Sequence, residues 1–388
     1  MMFDNLVGPE RPISWTFQFW PVLAGSLICS LAATWLCKKI AIKFGIVDKP
    51  DNLVKTHKEP VAYLGGVGIL IGMTVGMLSG IYCVADDVYF TSAMRMLLGI
   101  LAGAAIACFV GVVDDIFDLK PGRKILGQIG AAAALLAVGI VPSLDFLDFA
   151  LGIRLPHTIE VASEAGIAVI FVLGATNSLN LLDGLDGLCA GVTAIITVAM
   201  LLLAVHLATW ATNGLDDADD PVRIILCLAL VGAVCGFLPF NRYPAKIFMG
   251  DAGSMLLGFS AAALMILFGR YIPRWWMASI VVFGLPILDT AVALVRRLIN
   301  RRPLFVSDRG HIYDQMIDRG IPLKKTVTIC YLLTAMYAII GLVMSQIRTR
   351  YAVFVYVAVF LISGIVVWQQ GYLKMEGLRG AVRRESKG

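Results

Sequence analysis

Residues 94–118 read MRMLLGILAGAAIACFVGVVDDIFD. After Arg95, 18 residues pass without a charge, and then Asp114 and Asp115 stand side by side. A run of about 17–25 apolar residues crosses the hydrocarbon core of a bilayer as a helix. The two aspartates therefore lie where a membrane helix leaves lipid. Carboxylates there are costly unless paired, metal-bound or wet, and at a helix C-terminus they also oppose the macrodipole. The stretch predicts a chain that lives in a bilayer and keeps its chemistry at the ends of its spans.

The whole sequence follows the same pattern. It has 388 residues, 59% hydrophobic and only 15% charged, with a mean hydropathy of +0.83. Soluble domains run near about 45–50% apolar and about 25% charged. Hydropathy predicts eleven spans, at 17–37, 64–84, 94–113, 127–141, 166–182, 188–210, 224–239, 254–268, 276–295, 326–345 and 351–368. The expectation is an all-α, polytopic membrane protein, a single integral membrane domain over 1–388. The eight cysteines form no Cys-x-x-Cys pair and read as small apolar packing residues. The N-terminus lacks the basic region of a cleavable signal and reads as a short lead into the first span. A net charge of +5 without a long basic tract gives no sign of nucleic-acid binding.

Charge placement sets the expected orientation. Of 32 Lys and Arg, 24 fall on the side that holds loop 38–63 and the C-terminal tail. By the positive-inside bias, that side is cytoplasmic and the N-terminus is outside. Loops 38–63, 114–126, 183–187, 240–253 and 296–325 then share the cytoplasmic face, and these hold the unusual polar residues. The acidic run Asp216, Asp217, Asp219, Asp220 falls outside and reads as a solvated loop.

Each cytoplasmic motif has its own chemistry. Asn180, Asp183 and Asp186 recur every three residues in an apolar frame with Gly184 and Gly187, a spacing that shares one helix face or a tight turn. Phe248-Met249-Gly250-Asp251-Ala252-Gly253-Ser254 opens a span, and glycines at a helix N-terminus favour anions. Asp251 there suits a metal that bridges phosphates, and Phe248 suits stacking on a base. Lys55-Thr56-His57-Lys58, Arg123-Lys124 and Ser307-Asp308-Arg309-Gly310-His311 supply positive charge or imidazole. Carboxylates, cations and glycine turns on one face suit a divalent metal holding a pyrophosphate, since phosphoryl transfer needs mainly positioning and charge neutralisation.

Together, Asp114-Asp115, the segment from Asn180 to Gly187 and the segment from Phe248 to Ser254 resemble the polyprenyl-phosphate N-acetylhexosamine-1-phosphate transferases, bacterial plasma-membrane enzymes that begin envelope glycan assembly. The resemblance runs from Asp48-Lys49-Pro50 to Arg319-Gly320. It implies transfer of a HexNAc-1-phosphate from a UDP-sugar to undecaprenyl phosphate, with release of UMP, at a site facing the cytoplasm. It implies Mg²⁺, with Mn²⁺ as a substitute, held by Asp251 and Asp115. Asp114, Asp115, Lys58 and His311 take the catalytic positions, with Asp114 as the base for the lipid phosphate. Asn180, Asp183, Asp186, Lys124, Asn241, Phe248 and Arg309 take the substrate positions. A homodimer stays open.

One motif departs from the family. Its usual His-x-His-His is here His311-Ile312-Tyr313-Asp314. The change points away from UDP-muramoyl-pentapeptide and toward UDP-GlcNAc, with Tyr313 and Asp314 reaching the donor sugar. The rival class is a secondary transporter of an anionic solute, which places polar residues at midplane. Only Asp289 lies well inside an apolar run in that way.

Overall fold

A helix that is apolar on every side must be covered by lipid or by other helices, and here both occur. A computed structural model describes residues 12–48, 60–87, 89–145, 147–148, 152, 154–210, 219–270, 273–301 and 310–373. The principal helices are α1 (Trp20–Phe44), α2 (Gly65–Cys83), α3 (Phe90–Phe117), α4 (Pro121–Ala137), α5 (His157–Leu182), α6 (Leu188–Trp210), α7 (Asp219–Asn241), α8 (Gly250–Phe268), α9 (Pro273–Val282), α10 (Gly284–Ile299), α11 (Ile312–Asp318), α12 (Leu323–Gln346) and α13 (Thr349–Gln369). Strands β1 (Val47–Asp48) and β2 (Val61–Ala62) pair antiparallel between α1 and α2.

Among the described residues, nine helices are long and apolar enough to cross a membrane, or ten if the bent pair α9–α10 is one span. The expected fourth span is α4, whose 17 residues reach about 25 Å at 1.5 Å per residue, the short limit for a crossing. The expected ninth span is broken, with α9 and α10 meeting at 69°. Pro286 lies in the first turn of α10, where a missing N–H costs little.

Helix α8 is the axis of the bundle. Of its 19 residues, all but Asp251 are buried. It packs on α2, α3 and α5, whereas α13 at the rim leaves most of its apolar surface open to lipid. Close approach to α8 needs small partners. A Cβ on Gly111 of α3 would fall 2.3 Å from the Ala252 nitrogen. The missing side chain thus lets the C-terminal end of α3 press against the first turn of α8.

The far ends of the helices correct one expectation. Asp219 and Asp220 are buried, not solvated. Asp220 Oδ1 pairs with Arg223 Nη2 at 2.5 Å, and Asp219 Oδ2 with Arg270 Nε at 2.8 Å. Arg223 also donates to the Leu267 carbonyl at 3.0 Å, and Arg270 to that of Gly139 at 2.8 Å. The acids and arginines neutralise one another, which is how charge becomes tolerable in an apolar surround. Asp216 and Asp217 lie outside the described residues.

Candidate active site

The chain direction alternates, so the C-terminal ends of α3, α5 and α7 meet the N-terminal end of α8. Asp114 and Asp115 close α3, Asn180 closes α5, Asn241 closes α7 and Asp251 opens α8. Lys124 enters from the first turn of α4.

Lys124 is the hub. Its Nζ lies 2.5 Å from Asp114 Oδ2 and 2.5 Å from Asp251 Oδ2. Burial works against the ammonium, but the charges of Asp251 and Asp114 outweigh it and hold the Lys124 pKa above the ordinary lysine value. Asn180 Nδ2 donates to Asp251 Oδ1 at 2.7 Å and to Ser254 Oγ at 3.0 Å. Asp115 accepts the backbone N–H of Asp251 at 2.9 Å and of Ala252 at 3.3 Å. A carboxylate on the first N–H groups of a helix is where the macrodipole favours it, so α8 compensates at Asp115 what α3 opposes. Gly250, at φ +67°, supplies the left-handed turn before these amides. A Cβ there would also strike Asp115 Oδ2 at 2.4 Å.

Asp183 stands in the loop after α5. Burial, then the charges of Asp251, Asp115 and Asp186, push its pKa well above the carboxylate range. Several like charges held at one place predict a cationic partner. Among the described residues no group of three or more His, Cys, Asp or Glu forms a ready metal cage. The donor set still fits Mg²⁺, which takes one or two carboxylates and completes its shell with water and phosphate oxygens. Asp251 and Asp115 or Asp114 would supply those carboxylates, with Lys124 sharing the charge.

Loop 240–249 is stitched to the first loop. Phe248 N–H donates to the Ala62 carbonyl at 2.8 Å, and Gly65 N–H to that of Phe248 at 3.0 Å. Phe248 and Tyr63 meet edge to face with ring centroids 6.0 Å apart, leaving Phe248 half-buried beside the carboxylates. Burial, with Asp48, Asp115 and Asp183 nearby, raises the Tyr63 phenol. Tyr63 is not among the site residues expected from the sequence.

Other expected residues find different work. Asn241 is buried, accepting from Gly187 N–H at 3.1 Å and donating to the Ile247 carbonyl at 3.0 Å. Both ends of its amide tie loops together, so it does not serve as an open substrate contact. Asp186 Oδ2 accepts from Ala245 N–H at 2.8 Å in the same stitching. Tyr313 is buried, with its hydroxyl donating to the Leu181 carbonyl at 2.8 Å, and Asp314 is buried too. These two do not reach out toward a donor sugar as expected, because the short helix α11 turns them into the protein. His311 Nδ1 lies 2.7 Å from Asp289 Oδ2. Lys58 and Arg309 lie outside the described residues.

The profile of glycosyl transferase family 4 matches residues 97–269, the stretch from α3 to the end of α8. The chain is 32% identical over 362 residues to a Bacillus subtilis protein named as a probable undecaprenyl-phosphate N-acetylglucosaminyl 1-phosphate transferase, covering 91% of this chain and 90% of that one. The chain belongs to glycosyl transferase family 4. Within the family it is 29% identical to a decaprenyl-phosphate N-acetylglucosaminephosphotransferase of Mycolicibacterium smegmatis, over 80% of this chain and 78% of the relative. A phospho-N-acetylmuramoyl-pentapeptide-transferase of Geobacillus thermodenitrificans is 33% identical, over 43% of this chain and 49% of the relative. Family membership makes the chain a membrane transferase. The transporter reading also loses its residue, since Asp289 is engaged by His311 and by Ile312 N–H at 2.6 Å.

Proposed function

We propose that the chain transfers N-acetylglucosamine-1-phosphate from UDP-GlcNAc to a polyprenyl phosphate, undecaprenyl phosphate first, releasing UMP. The observation that carries this is the lysine-bridged pair Asp114 and Asp251, in a chain alike over nine-tenths of its length to a transferase named for that acceptor and sugar. In the reaction an oxygen of the lipid phosphate bonds to the sugar-bearing phosphorus, and the bond from that phosphorus to the UMP oxygen breaks. Asp114 takes the proton of the lipid phosphate. Asp251 with Asp115 would hold Mg²⁺, which would supply neutralisation of the pyrophosphate charge. Lys124 offsets charge at the same place, and half-buried Phe248 offers a face for the uracil. The site faces the cytoplasm of a bacterial plasma membrane, where UDP-sugars are made.

The test is UMP release by purified protein with undecaprenyl phosphate, Mg²⁺ and a panel of donors. UDP-GlcNAc is expected to outpace UDP-muramoyl-pentapeptide. The reverse order overturns the donor assignment, and no release with any donor overturns the transferase reading.

A further inference from the structure

The broken span carries an acid that stands outside the carboxylate cluster. Asp289 sits on α10, buried to 1% exposure, six residues past the bend at Phe283. An unpaired carboxylate at that depth is expensive, and both of its oxygens are engaged by one short stretch. Oδ2 lies 2.7 Å from His311 Nδ1, and Oδ1 accepts the Ile312 N–H, in the first turn of α11, at 2.6 Å.

The same unit is fastened to the catalytic end of α5. Thr290, next to Asp289, donates to Ser178 Oγ at 2.9 Å. Tyr313 lies parallel to the His311 ring at 5.6 Å between centroids and 10° between planes, and its hydroxyl reaches the Leu181 carbonyl. Between those two anchors on α5 is Asn180, which holds Asp251. His311 is thus held in the frame that carries the cluster, although it stands 60 residues beyond Asp251 in sequence.

We propose that Asp289 is a positioning residue that sets the tautomer and orientation of His311 for phosphosugar transfer. An ionised carboxylate only accepts hydrogen bonds, so it keeps the ring proton on Nδ1. Any hydrogen bond or proton that His311 exchanges with phosphate oxygens then runs through Nε2. The break between α9 and α10 lets a membrane helix deliver this carboxylate to a cytoplasmic loop. The part of the inference that concerns transfer rests on the function proposed above.

Asp289→Asn tests it. The amide keeps the size and can still accept from Ile312 N–H on Oδ1. Its other end is then an NH₂ group facing Nδ1, which must give up its proton, so the ring proton moves to Nε2. Wrong-tautomer dyads of this kind lose orders of magnitude in turnover. In full-length protein with UDP-GlcNAc, undecaprenyl phosphate and Mg²⁺, kcat should fall by about a hundredfold, with KM for UDP-GlcNAc within about threefold. The thermal midpoint should stay near that of the parent, and Asp289→Glu should recover much of the loss. Nitrogen-15 NMR of histidine-labelled protein, with the His311 signal assigned by its loss in His311→Ala, should show Nδ1–H in the parent and Nε2–H in Asp289→Asn. An unchanged tautomer in Asp289→Asn overturns the inference. So does near-parental turnover of Asp289→Asn when His311→Ala is strongly impaired. If His311→Ala itself turns over normally, the role of His311 in transfer falls, and the NMR result alone decides whether Asp289 sets its tautomer.

Discussion

At the scale of single residues, the site is a balance of charge around Lys124. One ammonium lies against Asp114 and Asp251 at 2.5 Å each, and Asp251 is also held by Asn180. The ammonium offsets the repulsion between two carboxylates held at one place. Asp251→Ala and Asp114→Ala are each expected to lose about a hundredfold or more in turnover, because each removes a group that acts where charge develops. Chelation should abolish activity and Mg²⁺ or Mn²⁺ should restore it; full activity in chelator would end the metal assignment. Asp183 gives a stability prediction. Its pKa is raised in the folded chain, so the folded state holds the proton more tightly than the unfolded one. Stability is then lost as pH rises from the ordinary carboxylate value through the raised one. Asp183→Asn should raise the thermal midpoint at mildly alkaline pH, with the gain fading in acid. Equal midpoints at both pH values would contradict the crowding read here.

At the scale of elements, the decisive contact is α3 on the first turn of α8. Gly111 lies one helical turn before Asp115, and a Cβ at Gly111 would meet the Ala252 backbone. Gly111→Ala must push α3 away, and Asp115 moves with it off the Asp251 and Ala252 amides. The expected cost is about 1–3 kcal/mol of stability, with a larger loss of turnover than of folding. Gly166 on α5 is the control, because a Cβ there meets nothing within 4 Å. Gly166→Ala should be neutral or slightly stabilising, as alanine favours helix. Comparing UMP release and unfolding of the two variants checks the point. Hydropathy showed both helices but not their contact, since apolar composition does not say which face of a helix meets which neighbour.

At the scale of the molecule, every carboxylate of the cluster sits at one end of the bundle, and the buried ion pairs of Asp219, Asp220, Arg223 and Arg270 close the other. The proposal that this end faces the cytoplasm rests on the 24 of 32 basic residues that the sequence assigns to the cluster side. A cysteine introduced at Asp217 should react with a membrane-impermeant maleimide on intact cells, and one at Arg302 only after permeabilisation. The opposite pattern would invert the topology and remove the site from its cytoplasmic UDP-sugar.

The sequence alone determined the bilayer as solvent, the helical class and the gathering of acids at span ends. These follow from local composition, since a charge-free run of 18 residues before Asp114 has few other homes. The motifs around Asp114, Asn180 and Asp251 also gathered acids, an amide and glycines at span ends that share one face. Only tertiary structure decided what each side chain does. It turned Asn241 and Tyr313 from expected substrate contacts into internal ties, buried Asp219 and Asp220, and gave Asp289 a partner in His311. The reason is physical. Burial and hydrogen-bond partners come from elements tens of residues away, as Asp289 and His311 are, and nothing in local pattern encodes which distant donor a carboxylate will meet.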